Sequence, residues 1–249
     1  KKRQKSGEFV TNTGTKKRRF RRVESKITAK GARAIFYRQF LEYKKEKYFI
    51  FTKMTVLSAV VAFIFAYSLQ KSVSDSSMAG FILLGVVAYV ALIMSGYTGK
   101  WESELKNPYI FLIPDSPLKK MWYATLMEHV KAFADGCIIC IPIGIFWHVP
   151  VIEIIYCILI YTVLQADRLY TMVIVQSLLG EVFGKTGQSL LRMFIQMALL
   201  GVGAGVGVLA AVLISQTLIF PIVLIYGLMI TVAMGAIALL RFDTMEQFV

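Results

Sequence analysis

Two neighbouring stretches decide the fold: MFIQMALLGVGAGVGVLAAVLI at residues 193–214 and LIFPIVLIYGLMITVAMGAIALL at residues 218–240. Neither stretch contains a Lys, Arg, Asp or Glu residue. At a rise of about 1.5 Å per residue, an α-helix of either length crosses a hydrocarbon layer of about 30 Å. Backbone polar groups in that layer need internal partners, which a helix supplies. The two stretches therefore predict membrane-spanning helices.

Four further apolar stretches extend this pattern. The sequence predicts an all-α membrane protein with about six spans, at residues 52–70, 78–98, 126–147, 150–183, 190–214 and 218–241. The composition agrees, because only 17% of the residues are charged, whereas about a quarter are charged in soluble domains. We expect Pro142 to kink the third span. The long fourth span should project beyond the membrane or break near Asp167.

The excess positive charge precedes the first span. Residues 1–50 hold 17 of the 28 Lys and Arg residues and have a net charge of +13, whereas residues 51–249 are neutral overall. Residues 1–29 form a basic segment without helical or strand periodicity. We expect it to attract anionic membrane lipid and not nucleic acid. The other basic residues fall mainly in alternate connections, so the positive-inside rule places both termini in the cytoplasm.

A change of pattern follows at residues 30–51. Apolar residues recur there at helical spacing, at Ile35, Phe36, Phe40 and Tyr43, and basic residues occupy the other faces. This pattern predicts an amphipathic helix that lies in the membrane interface. A charged residue at Phe36 or Phe40 should then be harmful, whereas Gln39 should tolerate change.

Two glycine patterns resemble nucleotide-binding motifs. The stretch GEVFGKT at residues 180–186 has three residues between its glycines, whereas a P-loop has four. We expect a turn there, with Gly184 and Gly187 breaking the helices, and no ATP site or other cofactor site. The glycines of GVGAGVG at residues 201–207 are spaced for close packing between membrane helices.

The sequence shows no constellation for catalysis or metal binding. Cys137, Cys140 and Cys157 lie in apolar stretches without further nearby ligands, so they are expected to be helix-core thiols. No nucleophile and base, and no shared set of metal ligands, can be recognised. The chain is therefore not expected to be an enzyme.

Ionisable residues within the spans include Glu128, His129, Lys131 and Asp135 on the third and Glu153, Asp167 and Arg168 on the fourth. The charged candidates among them are Asp135, Glu153, Asp167 and Arg168. Charges at membrane depth are costly, and they are usually paired or face water. Asp135 and Arg168 can form an ion pair if the two helices pack antiparallel. A substrate or proton path is the alternative, and it corresponds to an ion- or proton-coupled secondary transporter.

The segment at residues 104–122 contains an apolar stretch rimmed by charge between the second and third spans. Prolines interrupt it, and Asp115 or Ser116 can cap a new helix that has Pro117 in its first turn. An exposed apolar patch of this kind favours a docking surface for a cytoplasmic partner.

The sequence NPYIFLIPDSPLKK at residues 107–120 resembles the ABC exporter family of bacterial permeases. The wider plan of residues 30–249 resembles ABC-2-type exporters. This resemblance implies that residues 52–249 form a six-helix permease domain in the inner (cytoplasmic) membrane. It also implies a P-loop ATPase subunit that binds the ATP, and a second permease copy or half.

By the same resemblance, the ATPase docks on residues 104–122, for which the candidates are Glu104, Tyr109, Phe111, Leu112, Pro114, Asp115, Lys119 and Lys120. A secondary transporter and a membrane scaffold or assembly protein are the competing hypotheses. The sequence begins with Lys1, and it is left open whether it is the later part of a longer permease.

Overall fold

The computed structural model of the protein describes residues 29–45, 49, 51, 53–69, 76–96, 100–105, 108–179, 184–213 and 218–247. Within these ranges the chain forms eight α-helices and a 3-10 turn, and it contains no strand. In chain order they are α1 (Arg33–Lys45), α2 (Lys53–Leu69), α3 (Ser76–Ser95), α4 (Lys100–Leu105), the 3-10 turn (Pro108–Ile110), α5 (Pro117–Phe146), α6 (Val151–Leu179), α7 (Gly184–Leu213) and α8 (Ile219–Gln247). Apart from residue 29, the predicted basic segment lies outside the described residues.

Five helices, α3, α5, α6, α7 and α8, are long and apolar enough to cross a membrane. The sixth predicted span corresponds to α2, which is apolar but has 17 residues, about 26 Å of helix. The residues that flank α2, at 52 and 70–75, lie outside the described part of the chain. The prediction of an all-α membrane protein is confirmed.

Helix α6 lies at the centre of the bundle and packs against α3, α5, α7 and α8. Small residues on α5 allow its close approach, because a Cβ atom added at Gly144 would lie 2.5 Å from Cδ1 of Ile154. Cys140 and Cys157 are both buried in the core between these helices. These two thiols are core residues, as the sequence predicts, whereas Cys137 is only partly buried against the same cluster.

The two central helices are continuous. Helix α5 begins at Pro117, after Ser116 as the N-cap residue, and it continues through Pro142. Helix α6 runs unbroken through Asp167, so the predicted alternative of a break there is wrong. Its 29 residues are about 43 Å long, which exceeds the thickness of a hydrocarbon layer, so the helix extends beyond it.

The connection between α5 and α6 is a short turn at residues 147–150. His148 adopts a positive φ of 55°, and the amide of Val149 donates to the carbonyl of Gly144 at 2.9 Å. This hydrogen bond returns to the last turn of α5 and satisfies one of its free carbonyl groups. The turn therefore reverses the chain with few residues and makes α5 and α6 antiparallel neighbours.

The glycines of α7 have different environments. The helix begins at Gly184 and continues through Gly187, so the expected break at Gly187 is wrong. A Cβ atom at Gly203 would lie 3.0 Å from the ring of Tyr226 on α8, whereas one at Gly201 or Gly205 would meet nothing within 4 Å. The predicted close packing between helices is therefore found on the face of α7 that carries Gly203, where α8 approaches.

Helix α1 packs against α5 through Ile35, Gln39 and Tyr43, which are buried. Phe36 and Phe40 lie beside this face, half-buried, and their rings stack with centroids 6.3 Å apart. The expectation that Gln39 tolerates change does not fit this position, because only 2% of its surface is exposed. The helix is therefore a packed element of the bundle.

A second hydrophobic cluster joins α1, α4, the 108–116 segment, α5, α6 and the end of α8. Trp101 of α4 is completely buried there, stacks near Phe242, and donates its indole N–H to the carbonyl of Leu169 at 3.2 Å. We call this part of the bundle the α4 end. At the opposite end of the bundle, the ring of Phe220 on α8 stacks on the rings of Phe81 on α3 and Tyr156 on α6. All three residues lie near the start of their helices.

Candidate functional site

The predicted docking segment contains residues that face inward. Phe111 is buried against Phe242, with ring centroids 5.1 Å apart. Lys120 is also buried, and its Nζ donates to the carbonyl of Phe111 at 3.0 Å. Glu104 is buried in an ion pair with Arg38 of α1. These predicted site residues hold the segment on the bundle, so Phe111 is not the accessible anchor that the sequence suggested.

Other residues of the segment face outward. Tyr109 is 70% exposed and Leu112 is 66% exposed. The first turns of α5 add two large side chains to the same stretch of chain, at Leu118 and Trp122. We call Tyr109, Leu112, Leu118 and Trp122 the exposed strip. Pro114 and Lys119 are also exposed.

Leu118 and Trp122 are not among the sequence candidates, although their spacing could have identified them. Residues four apart lie on one face of a helix, and Pro117 marks where that helix begins. Lys120 and Met121 are buried on the other side of the same turns. The helical period therefore separates an outward and an inward face from the first turn of α5 onward.

Asp115 ties the segment to α1. Its Oδ2 accepts a hydrogen bond from the amide of Ala32 at 3.2 Å, and its Oδ1 accepts one from the amide of Ser116 at 3.0 Å. Mainly the bond from Ala32, then that from Ser116, lowers the pKa of Asp115 below its ordinary value, and nearby Lys119 lowers it further. Gly31 has a φ of +63°, and a Cβ atom there would lie 2.8 Å from Asp115 Oδ2. Only glycine fits this junction without strain.

Helix α4 is held from two sides by arginines. Arg192 of α7 contacts Glu102 at 3.1 Å, and both side chains are buried. Arg38 of α1 pairs with Glu104, two residues further along α4. The sequence analysis missed the pair of Glu102 and Arg192, since 90 residues separate them and no spacing rule connects them. The two ion pairs fix α4 between α1 and α7.

A polar cavity of about 20 Å³ lies inside the bundle among α2, α3, α5 and α6. Asp135 and Arg168 both line it, as the antiparallel packing of α5 and α6 predicts. However, Arg168 donates to the carbonyl of Met94 at 3.1 Å, and Oδ1 of Asp135 has no hydrogen-bond partner among the described residues. The expected direct ion pair is therefore not formed. The two charges share a cavity instead.

Asp167 lies on another face of α6 and lines a different cavity, of about 290 Å³. Glu153 is in the first turn of α6, near the other end of the helix, where its carboxylate lies against Gly80 of α3. The four charged residues predicted within the spans therefore do not form one site. Each acidic side chain has its own environment.

Five of the described helices are long and apolar enough to cross a membrane, and they include a central helix that carries buried charges. This arrangement defines a multi-pass α-helical membrane protein. The model of a family described as "Putative ABC exporter" matches residues 1–246. The chain belongs to this family, and a role in membrane transport follows from that membership. The resemblance seen at residues 107–120 is thus confirmed. None of the curated proteins or solved structures compared with the chain gives a match.

Proposed function

We propose that the chain is the permease subunit of an ABC exporter in the cytoplasmic membrane, with both termini in the cytoplasm. A separate P-loop ATPase binds ATP and supplies the energy. Family membership supports this assignment. The sequence also contains no stretch with the G-x-x-x-x-G-K spacing that a P-loop requires. A second copy of the chain, or a related half, completes the transporter.

The observation that carries the proposal is the exposed strip. Its four large apolar side chains project from a segment whose other face is fixed by Phe111 and Lys120. Lys119 adds exposed positive charge beside Leu118 and Trp122. Apolar anchors within a charged rim are typical of the residues that dominate protein interfaces. The strip is the surface to which the ATPase docks.

The same segment is connected to the membrane region. Helix α5 begins beside the strip and continues for 30 residues, about 45 Å, to the other side of the bundle. The two arginine pairs connect neighbouring α4 with α1 and α7. Movement of a docked ATPase would therefore reach the spans through the continuous helix α5 and through the two ion pairs of α4.

The competing hypothesis of a secondary transporter receives less support from the geometry. That hypothesis assigns ion coupling to Asp135, Glu153 and Asp167 acting together. Asp135 and Asp167 line different cavities, and Glu153 lies near the far end of α6. No shared site for a coupling ion is formed by these three residues.

The experiment is co-purification of the permease with its ATPase in a mild detergent, with the partner identified by mass spectrometry. Leu112→Asp and Trp122→Asp should each reduce the co-purified ATPase about tenfold, because each places a charge in an apolar anchor position. Ser116→Asp is the matched control. It adds the same charge to the same segment, but it removes no apolar contact and suits an N-cap.

Lys119→Glu should weaken the association in a salt-dependent way, since exposed charges at the rim of an interface are screened by salt. Full recovery of the ATPase with both aspartate variants would refute docking on the exposed strip. Recovery of a non-ATPase partner alone would support the scaffold hypothesis.

Orientation is tested with single cysteines and a membrane-impermeant thiol reagent. Ser74→Cys, in a connection outside the described residues, should be labelled from outside the cell. Ser116→Cys, beside the exposed strip, should react only after the membrane is opened. Labelling of position 116 in intact cells would reverse the proposed orientation.

A further inference from the structure

A mostly apolar cavity of about 290 Å³ lies among α3, α6, α7 and α8. Its walls include the rings of Phe81 and Tyr226. Gly203 of α7 also lines the cavity, and because it has no side chain it leaves this part of the wall open. The volume lies near the lower end of the range for small-molecule sites, and such sites are mostly apolar with a few polar groups.

Asp167 is the one ionisable acid or base among the lining residues apart from the Tyr226 phenol. Only 1% of its surface is exposed, and its Oδ1 has no hydrogen-bond partner within the described part of the chain. Thr231 of α8 is within hydrogen-bonding reach of the carboxyl group, but its hydroxyl also donates to the carbonyl of Gly227 at 2.9 Å. The carboxyl group is therefore poorly satisfied by the protein.

Within the described part of the chain, no ion pair is formed by Asp167. Arg168 follows it directly, but the two side chains leave α6 on different faces, and the guanidinium group donates to Met94 in the polar cavity. None of the ion pairs among the described residues involves the Asp167 carboxyl group. An ionised carboxylate in an apolar environment is costly without a counter-ion, so an acid at membrane depth is expected to have a partner. The described residues supply no cationic partner for Asp167.

We propose that this cavity is the cargo site and that it binds a hydrophobic organic monocation, for which Asp167 is the counter-ion. The role of the cavity as a cargo site rests on the proposed export function. Cation binding by the cavity does not depend on that function. The chemistry of the walls fits such a ligand, because aromatic faces attract organic cations and apolar side chains accommodate their hydrocarbon parts. The ring of Tyr226 is held in place, since its hydroxyl donates to the carbonyl of Leu199 at 3.2 Å.

The test uses the full chain in lipid nanodiscs and radiolabelled benzyltrimethylammonium as the probe, with empty nanodiscs to subtract partition into lipid. This quaternary cation cannot lose a proton. Neopentylbenzene has the same shape with carbon in place of the charged nitrogen, so it is the neutral control. Saturable binding should be seen for the cation, and the neutral compound should compete at least about tenfold more weakly.

Two substitutions address the site from different directions. Asp167→Asn keeps the size of the side chain and removes its charge, and it should weaken cation binding at least about tenfold. Gly85→Leu adds a side chain to the cavity wall, where a Cβ atom would meet no other atom within 4 Å. It should weaken binding similarly by occupying space. Asp135→Asn, a buried acid in the other cavity, should leave the Kd within about twofold.

Thermal unfolding of each variant in nanodiscs shows that it is folded before binding is compared. Unchanged cation binding by both Asp167→Asn and Gly85→Leu, or equal competition by neopentylbenzene, would overturn the proposal. Co-purification of the ATPase is measured on the same variants. Loss of cation binding with ATPase association intact supports the cavity assignment, whereas absence of any ATPase would remove the exporter function and leave the binding result standing.

Discussion

The buried acids of α4 and of α6 have the same chemistry and opposite surroundings. Glu102 lies against Arg192 at 3.1 Å, and Glu104 pairs with Arg38. Asp167 is buried at least as deeply and forms no ion pair with any of the described residues. A buried charge that its own chain neutralises joins helices together. One that the chain leaves unpaired is available to a ligand, and this difference separates structural from functional acids in the molecule.

The largest expected effect is at the fully buried pair. Arg192→Met removes the guanidinium group and leaves Glu102 without it in an apolar environment, so unfolding should become easier by about 3–5 kcal/mol. The measurement is the midpoint of chemical unfolding in detergent. The double variant Arg192→Met/Glu102→Gln should recover much of the loss. If the double variant were no more stable than Arg192→Met, the pair would not be the cause.

A smaller effect is expected at the second pair. Arg38 is 42% exposed, so solvent screens its attraction to Glu104. Arg38→Met should cost about 1 kcal/mol or less in the same unfolding assay, and 0.5 M salt should reduce the difference from the native protein. A loss of stability as large as that of Arg192→Met would show that solvent exposure does not distinguish the two ion pairs of α4.

Asp115 provides a pH-dependent contact between α1 and the docking segment. Its pKa is lowered in the folded protein, mainly by the hydrogen bond from Ala32, so this contact stabilises the fold above the ordinary pKa of 3.8. The stabilisation is lost as the pH falls through the lower folded value. Asp115→Asn should therefore remove a small part of the stability change between pH 5 and pH 3. An identical pH profile for both proteins would contradict this assignment.

The smallest change in stability is expected at Asp167, where the comparison is sharpest. Asp167→Asn removes no ion pair, so the free energy of unfolding should remain within about 0.5 kcal/mol or rise slightly. Glu102→Gln alone provides the contrast, because it leaves Arg192 without its partner and should destabilise the protein. A large loss of stability in Asp167→Asn would instead make this residue structural.

The sequence predicts the parts of the fold that depend on local pattern. The uncharged stretches become α7 and α8, and Pro117 begins α5 as its position suggests. Local pattern is less informative about where a helix ends. Helix α6 continues through Asp167 and extends beyond the hydrocarbon layer, which is the first of the two outcomes expected for it. Helix α7 continues through Gly187, against expectation.

The candidate docking residues illustrate the same limit. Phe111 and Leu112 are adjacent apolar residues, and composition cannot tell which of them faces Phe242 and which faces outward. The counter-ions of Glu102 and Glu104 come from α7 and α1, far away in the sequence. Hydrophobicity therefore identified the segment, and only the three-dimensional arrangement separates its anchored face from its exposed strip.

The short turn at residues 147–150 gives the central pair of helices a fixed pivot. It keeps the ends of α5 and α6 adjacent on the side away from the exposed strip, so relative motion must grow with distance from the turn. For a rigid helix of about 45 Å, a displacement of about 3 Å at its far end corresponds to a rotation of only about 4°. Halfway along the helix the shift is about 1.5 Å, comparable to one residue of helical rise. If the hairpin moves as a rigid body, its largest displacement therefore falls at the end where we propose that the ATPase docks.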